Sequence, residues 1–157
     1  MKKLLLAGLL SVGVLFAYNP LNGVKAQKAE AVKVVGNHFI TVKTLKNWMK
    51  NNKNFEIVDV REPAEWNAGQ IDYIETINLP RGVLYAGVKK GRLKPNKTYV
   101  FVCRTGHRAL LAAATLYKWY DFKNVYVLKG GIKAWIKSGG LVTNAMHLGP
   151  VKIQLQK

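Results

Sequence analysis

Tyr99-Val100-Phe101-Val102-Cys103-Arg104-Thr105-Gly106-His107-Arg108 is the stretch on which the reading of this chain turns. Its β-branched and aromatic start extends a buried strand expected over residues 98–102. A cysteine leaves that strand and enters a tight loop. The loop runs into a helix expected over residues 108–120, rich in Ala and Leu. Successive backbone N–H groups in such a turn can point inward as an anion-binding nest, and the helix dipole adds positive potential. Arg104 and Arg108 bring two full charges, and His107 can bring a partial one. Each effect favours thiolate over thiol at Cys103. Gly106 permits backbone geometry that other residues resist. Free cysteine is commonly a small buried hydrophobe, but two guanidinium groups within five residues point to a reactive sulfur. That reading requires a sulfur open to solvent with the loop amides aimed at it.

Working outward, the same alternation recurs on both sides. Thr41 is placed to cap a helix whose apolar positions Val42, Leu45, Trp48 and Met49 fall at helical spacing. Residues 55–60 read as a buried strand. Residues 62–68 read as a short helix with Pro63 in its first turn, where proline is tolerated. Residues 76–79 form another strand, Pro80-Arg81-Gly82 a turn, residues 124–128 a strand, Gly130-Gly131 a break, and residues 132–137 a last helix. Short apolar strands separated by helical stretches predict an α/β fold with a mostly parallel sheet and helices on both faces. In such sheets ligands bind beyond the carboxyl ends of the strands, where Cys103 is placed. Arg61 and Arg81 each follow a strand and can face the same end. Arg61 has an equal alternative, an ion pair with Asp59, Glu62 or Glu65. Trp48, Trp66, Trp119 and Trp135 read as core.

The chain has 157 residues, 49% hydrophobic and 21% charged, an ordinary globular composition for about one domain. A single cysteine excludes an internal disulfide and any Cys-based zinc site. His38 and His147 have no metal-ligand spacing to each other or to Cys103, so no metal and no cofactor is expected. Lys and Arg number 25 against 8 acids, a formal charge of +17. Such a field attracts anions, although most of the lysines read as a solubilising surface. The chain carries no nucleic-acid-binding motif. Residues 1–26 read as a signal peptide: Lys2 and Lys3 precede an uncharged run over residues 4–17, too short to span a membrane, and Val24-Lys25-Ala26 offers a cleavage site. Cleavage after Ala26 removes Lys2, Lys3 and Lys25 and no acid, leaving 17 − 3 = +14. Residues 27–37 are then an N-terminal arm, 38–140 the domain and 141–157 a C-terminal tail. A periplasmic location is expected, with no span in the mature protein.

Four motifs together resemble a known family. Ile57-Val58-Asp59-Val60-Arg61-Glu62 is similar to the Asp-x-Arg-(Asp/Glu) segment of single-domain rhodaneses, and Ile77-Asn78-Leu79-Pro80 to their Ile-Asn-(aliphatic)-Pro strand. Cys103 to Arg108 resembles their Cys-x4-Arg loop, and Gly130-Gly131-Ile132-Lys133-Ala134-Trp135 their closing signature. Gln70 departs from the usual His. An Arg-Gly after the Ile-Asn-Leu-Pro strand, here Arg81-Gly82, is shared with periplasmic polysulfide-sulfur transferases. The resemblance implies a rhodanese-like domain with Cys103 catalytic. It implies substrate contacts from Arg104, Thr105, Gly106, His107 and Arg108, with Arg81 and Arg61 as further candidates. The implied activity moves sulfane sulfur from thiosulfate or polysulfide to a thiophilic acceptor through a persulfide on Cys103. The alternative is a periplasmic carrier delivering persulfide sulfur to one protein partner. Tyrosine-phosphatase-like enzymes use Cys-x5-Arg, one residue longer than the loop here.

Overall fold

The computed structural model describes residues 20–144 and Met146. The uncharged run at 4–17, His147 and most of the proposed tail lie outside the described residues. Helix α1 (Pro20–Val35) leads into strand β1 (Phe39–Ile40) and helix α2 (Val42–Lys50). Strand β2 (Glu56–Asp59), helix α3 (Pro63–Asn67), and strands β3 (Gln70–Ile71) and β4 (Thr76–Asn78) follow. A 3-10 turn (Arg81–Val83) and helix α4 (Leu84–Lys89) lead to strand β5 (Tyr99–Val102) and helix α5 (His107–Trp119). Strand β6 (Val125–Leu128), helix α6 (Gly131–Lys137) and strand β7 (Val142–Thr143) close the order.

Five strands form one sheet in the order β1-β6-β5-β2-β4, and every pairing in it is parallel. The strand carrying the cysteine is therefore central. All four of its residues are buried, as expected for a strand covered on both faces. On one face Val58, Tyr99, Phe101, Val125 and Val127 pack under α1, α4 and α5. On the other, Ile57, Val100, Val102 and Leu128 pack under α2 and α6, with Leu45, Ile132 and Trp135 entirely or nearly buried. The alternation of these side chains along β5 and β2 follows from the two-residue period of a strand. The α/β architecture with helices on both faces is the one the sequence predicts.

Several elements differ from the reading of the sequence. The segment 27–37, read as an arm, is helical to Val35 and docks on α5 by burying Ala31 and Val35. The helix, described over Pro20–Val35, runs through Val24-Lys25-Ala26. Helix α4 had no counterpart in the reading. Strands β3 and β7 pair antiparallel as a separate two-stranded sheet, too short to leave a periodic signal. Trp119 is 70% exposed and does not belong to the core, whereas Trp135 is buried and donates through Nε1 to Leu141 O at 2.8 Å. At the start of α2, Thr41 does cap: its Oγ1 accepts the Thr44 N–H at 3.1 Å.

Candidate functional site

Cys103 stands one residue past the end of the central strand. The chain turns at once through Arg104-Thr105-Gly106 into α5, whose N-cap is Gly106 at φ +101°, a conformation that strongly favours glycine. That turn brings the Gly106 N–H to the cysteine, where it donates to Sγ at 3.1 Å. The sulfur is thus buried against a backbone amide at the N-terminus of α5.

The back of the loop is held by a part of the chain 29 residues away. At the start of α6, the Ile132 N–H donates to Cys103 O at 2.9 Å and the Lys133 N–H to Arg104 O at 3.2 Å. Gly131, at φ +57°, makes this approach possible, because a Cβ there would lie 2.2 Å from Cys103 O. Two carbonyls of the active loop are thus tied to the free N–H groups of a helix start, which otherwise need partners. The Gly-Gly break was legible in the sequence. Its role as the seat of the cysteine loop is a product of the fold.

The arginines divide. Arg108, the second residue of α5, makes a two-pronged ion pair with Glu65 of α3, Nη1 to Oε2 at 2.6 Å and Nη2 to Oε1 at 2.7 Å. The Arg108 guanidinium holds the Glu65 carboxyl below its ordinary range. In return Glu65, chiefly through this hydrogen bond, raises Arg108 above its own, and the charge of Cys103 adds to that direction. Glu65 Oε2 also accepts the Glu62 N–H at 3.3 Å, closing a capping box at the start of α3. In the sequence Glu65 stands only as a candidate partner for Arg61. The spacing Glu62-x-x-Glu65 signals a cap, but nothing in it signals Arg108, which is 43 residues on.

Arg61 takes the ion-pair alternative, with Asp59. Its Nη2 donates to Asp59 Oδ2 at 2.6 Å and to Gly69 O at 2.7 Å, and both side chains are buried. These commitments tie β2 to the turn before β3 and turn the guanidinium inward. Arg81 is exposed at the carboxyl end of β4, where its N–H donates to Val60 O at 3.2 Å. Arg81 lines a cleft between α1 and α5, with Glu30 and Lys118. Arg104 and Thr105 form the exposed outer turn of the loop, and His107 is half-buried at the first position of α5. The requirement of an amide on the sulfur is met at Gly106. The requirement of an open sulfur is not: Cys103 is 1% exposed, because the loop folds over it and α5 packs behind it. Gln70 is fully buried, and its Nε2 donates to Asn144 O at 3.1 Å, joining β3 to the chain after β7. Among the described residues no group of three His, Cys, Asp or Glu side chains is placed to hold a metal ion. No described helix is long and apolar enough to cross a membrane.

The chain is 32% identical over 120 residues to a probable adenylyltransferase/sulfurtransferase of Mycobacterium tuberculosis, matching 76% of this chain and 29% of that protein's length. The polysulfide-sulfur transferase homodimer of Wolinella succinogenes superimposes with a TM-score of 0.60 at 29% identity, over 81% of this chain and 88% of that one. A protein of unknown function from Rhodopseudomonas palustris, described as a possible tyrosine phosphatase, superimposes with a TM-score of 0.67 at 29% identity, over 79% and 96% of the two chains. The family model of the rhodanese-like domain matches residues 41–138, from the N-cap of α2 to the C-cap of α6, and so takes in both the cysteine loop and the glycine seat beneath it: the chain belongs to the rhodanese-like domain family.

Proposed function

We propose that this protein is a sulfurtransferase that carries sulfane sulfur as a persulfide on Cys103, with thiosulfate or polysulfide as donor. The Cys103 thiolate attacks the outer sulfur of the donor. The new S–S bond takes the thiolate's electron pair, and the old one leaves with sulfite or with a polysulfide shortened by one sulfur. The persulfide anion is then attacked at its outer sulfur by a thiophilic acceptor, which restores the thiolate. The observation that carries this reading is the Gly106 N–H on Sγ at 3.1 Å in a loop of four residues between Cys103 and Arg108. A loop of that length suits one added sulfur atom better than a tetrahedral oxyanion, which argues against phosphate-ester chemistry. The likeness to the Wolinella polysulfide-sulfur transferase supports polysulfide as a donor.

The burial of Cys103 favours one second reading, a carrier that loads once and releases sulfur slowly until a protein partner opens the loop. Intact mass after exposure to thiosulfate and, separately, to polysulfide tests the chemistry. A gain of one or more sulfur atoms is expected, absent in Cys103→Ser. No gain, together with turnover of a phosphate ester, would overturn it. Rapid cyanide or thiol turnover of the loaded protein identifies the enzyme, and stoichiometric loading with slow release identifies the carrier. Export to the periplasm is part of the proposal and rests on the basic start and the uncharged run at 4–17. The mature protein is expected to begin at Gln27, and a protein recovered with Met1 intact would count against cleavage.

A further inference from the structure

A groove of about 500 Å³ runs along the side of the cysteine loop, within the size range of small-molecule sites. Its apolar lining comes from exposed Val32 of α1 and half-buried Phe39 of β1, with Leu110 of α5 and Val127 of β6, both buried, behind them. One wall is the loop itself, Thr105, Gly106 and His107, and Gly106 is the residue whose N–H holds the sulfur. Lys28 and Lys129 are the charged residues at its rim, and no acid lines it. Neither lysine makes an ion pair among the described residues. Lys28 and Val32 are four residues apart on α1 and so project from one face of that helix. Both, with Phe39, precede the family segment at 41–138, so this chain's own N-terminal helix builds one side of the groove.

We infer that the groove binds a small organic anion with an apolar body, the body lying on Val32, Phe39, Leu110 and Val127 and the anionic end meeting Lys28 and Lys129. Resting on the sulfurtransfer reading, that ligand is the acceptor: an organic thiol whose sulfur is delivered to the loop while its far end is held. The acceptor thiolate gives its electron pair to the outer sulfur of the Cys103 persulfide. The S–S bond to Cys103 breaks with its pair remaining on Sγ, leaving an organic persulfide and the free enzyme thiolate. Burial of the apolar body supplies affinity, and the two lysines select an anion over a neutral molecule of the same length.

The test uses the protein without sulfur chemistry first. Hexanoate is titrated against methyl-labelled protein, with hexanol as the neutral control. Shifts at the Val32, Leu110 and Val127 methyl groups are expected, with hexanoate binding roughly fivefold tighter than hexanol and that advantage lost in K28E and in K129E, two surface charge pairs being worth little each. Equal binding of the two probes, or shifts confined to other methyl groups, would overturn the site. The Cys103 persulfide is then discharged with 6-mercaptohexanoate and with 2-mercaptoethanol. Faster discharge by 6-mercaptohexanoate, reduced in K28E, supports the acceptor role, and equal rates overturn it. A protein that binds hexanoate at these methyl groups but never gains sulfur would defeat the sulfurtransfer reading while leaving the ligand class of the groove in place.

Discussion

At the scale of single residues, the site depends on which carboxylate meets which guanidinium. Asp59 is spent on Arg61 inside the protein, and Glu65 on Arg108 beside the loop. The second pair fixes the first turn of α5 against α3. Its side chains are 34% and 31% exposed, so solvent screening keeps its worth near that of a surface pair, about 0.5–1 kcal/mol. Its larger effect is positional. Glu65→Gln removes the charge that draws the Arg108 guanidinium aside and is expected to lower the rate of persulfide loading roughly tenfold through misplacement of the loop. A pH signature separates this from general damage. The Glu65 carboxyl lies below 4.5 in the folded protein, so the unfolded chain takes up that proton first as pH falls. The pair therefore stabilises the fold above about pH 4.5 and loses that contribution as pH drops through the lowered value. Wild type should melt higher than Glu65→Gln at pH 7, and the gap should narrow as pH falls below the ordinary glutamate range. A gap that stays constant across that range would remove Glu65 from this role.

At the scale of elements, the cysteine loop is the meeting of three segments: β5 delivers Cys103, α5 begins on Gly106, and the start of α6 accepts two loop carbonyls as partners for its N–H groups. Gly131 is the hinge of that arrangement. Gly131→Ala places a methyl group against Cys103 O and Arg104 O in a backbone region that alanine resists. Strain of this kind costs about 1–3 kcal/mol, and the atoms the methyl group meets are backbone atoms of the loop. A lower melting temperature and a loading rate reduced at least tenfold are expected. Unaltered loading in a protein that still melts lower would show that α6 supports the fold without shaping the loop. Helix α1 belongs to the same scale. It docks on α5, burying Ala31 and Val35, and supplies the Lys28 and Val32 side of the groove.

At the scale of the molecule, the charge is uneven as well as high. Six of the eight acids lie between Glu56 and Glu75, and none follows Asp121, after which come six lysines. Two of the acids in that stretch are engaged by Arg61 and Arg108, and Glu56 pairs with Lys97. The unpaired field seen by an incoming dianion is positive. Loading by thiosulfate should slow roughly three- to tenfold between 20 mM and 500 mM NaCl as that field is screened. Alkylation by neutral iodoacetamide, which meets the same covered sulfur, should change little. Equal salt dependence for the two reagents would mean that the loop's opening, and not the field, responds to salt.

What the sequence by itself determined is the order and kind of most elements, and the position of Cys103 at the turn from a buried strand into a helix. These are local matters. The β-branched run at 99–102, the Ala- and Leu-rich helix after it, the Thr41 cap and the Gly130-Gly131 break each carry their information within a few neighbouring residues. What only the tertiary structure decided are the relations between distant segments. Glu65 meets Arg108 across 43 residues, Ile132 and Lys133 seat the carbonyls of Cys103 and Arg104, α1 folds onto α5 where the sequence suggests an arm, and Arg81 lines a cleft beside α1 and α5. The covering of Cys103 belongs here too, because a residue's exposure is set by what packs over it. Propensity acts along the chain, while ion pairing, burial and access act through space, and the strand order β1-β6-β5-β2-β4 is what converts one into the other.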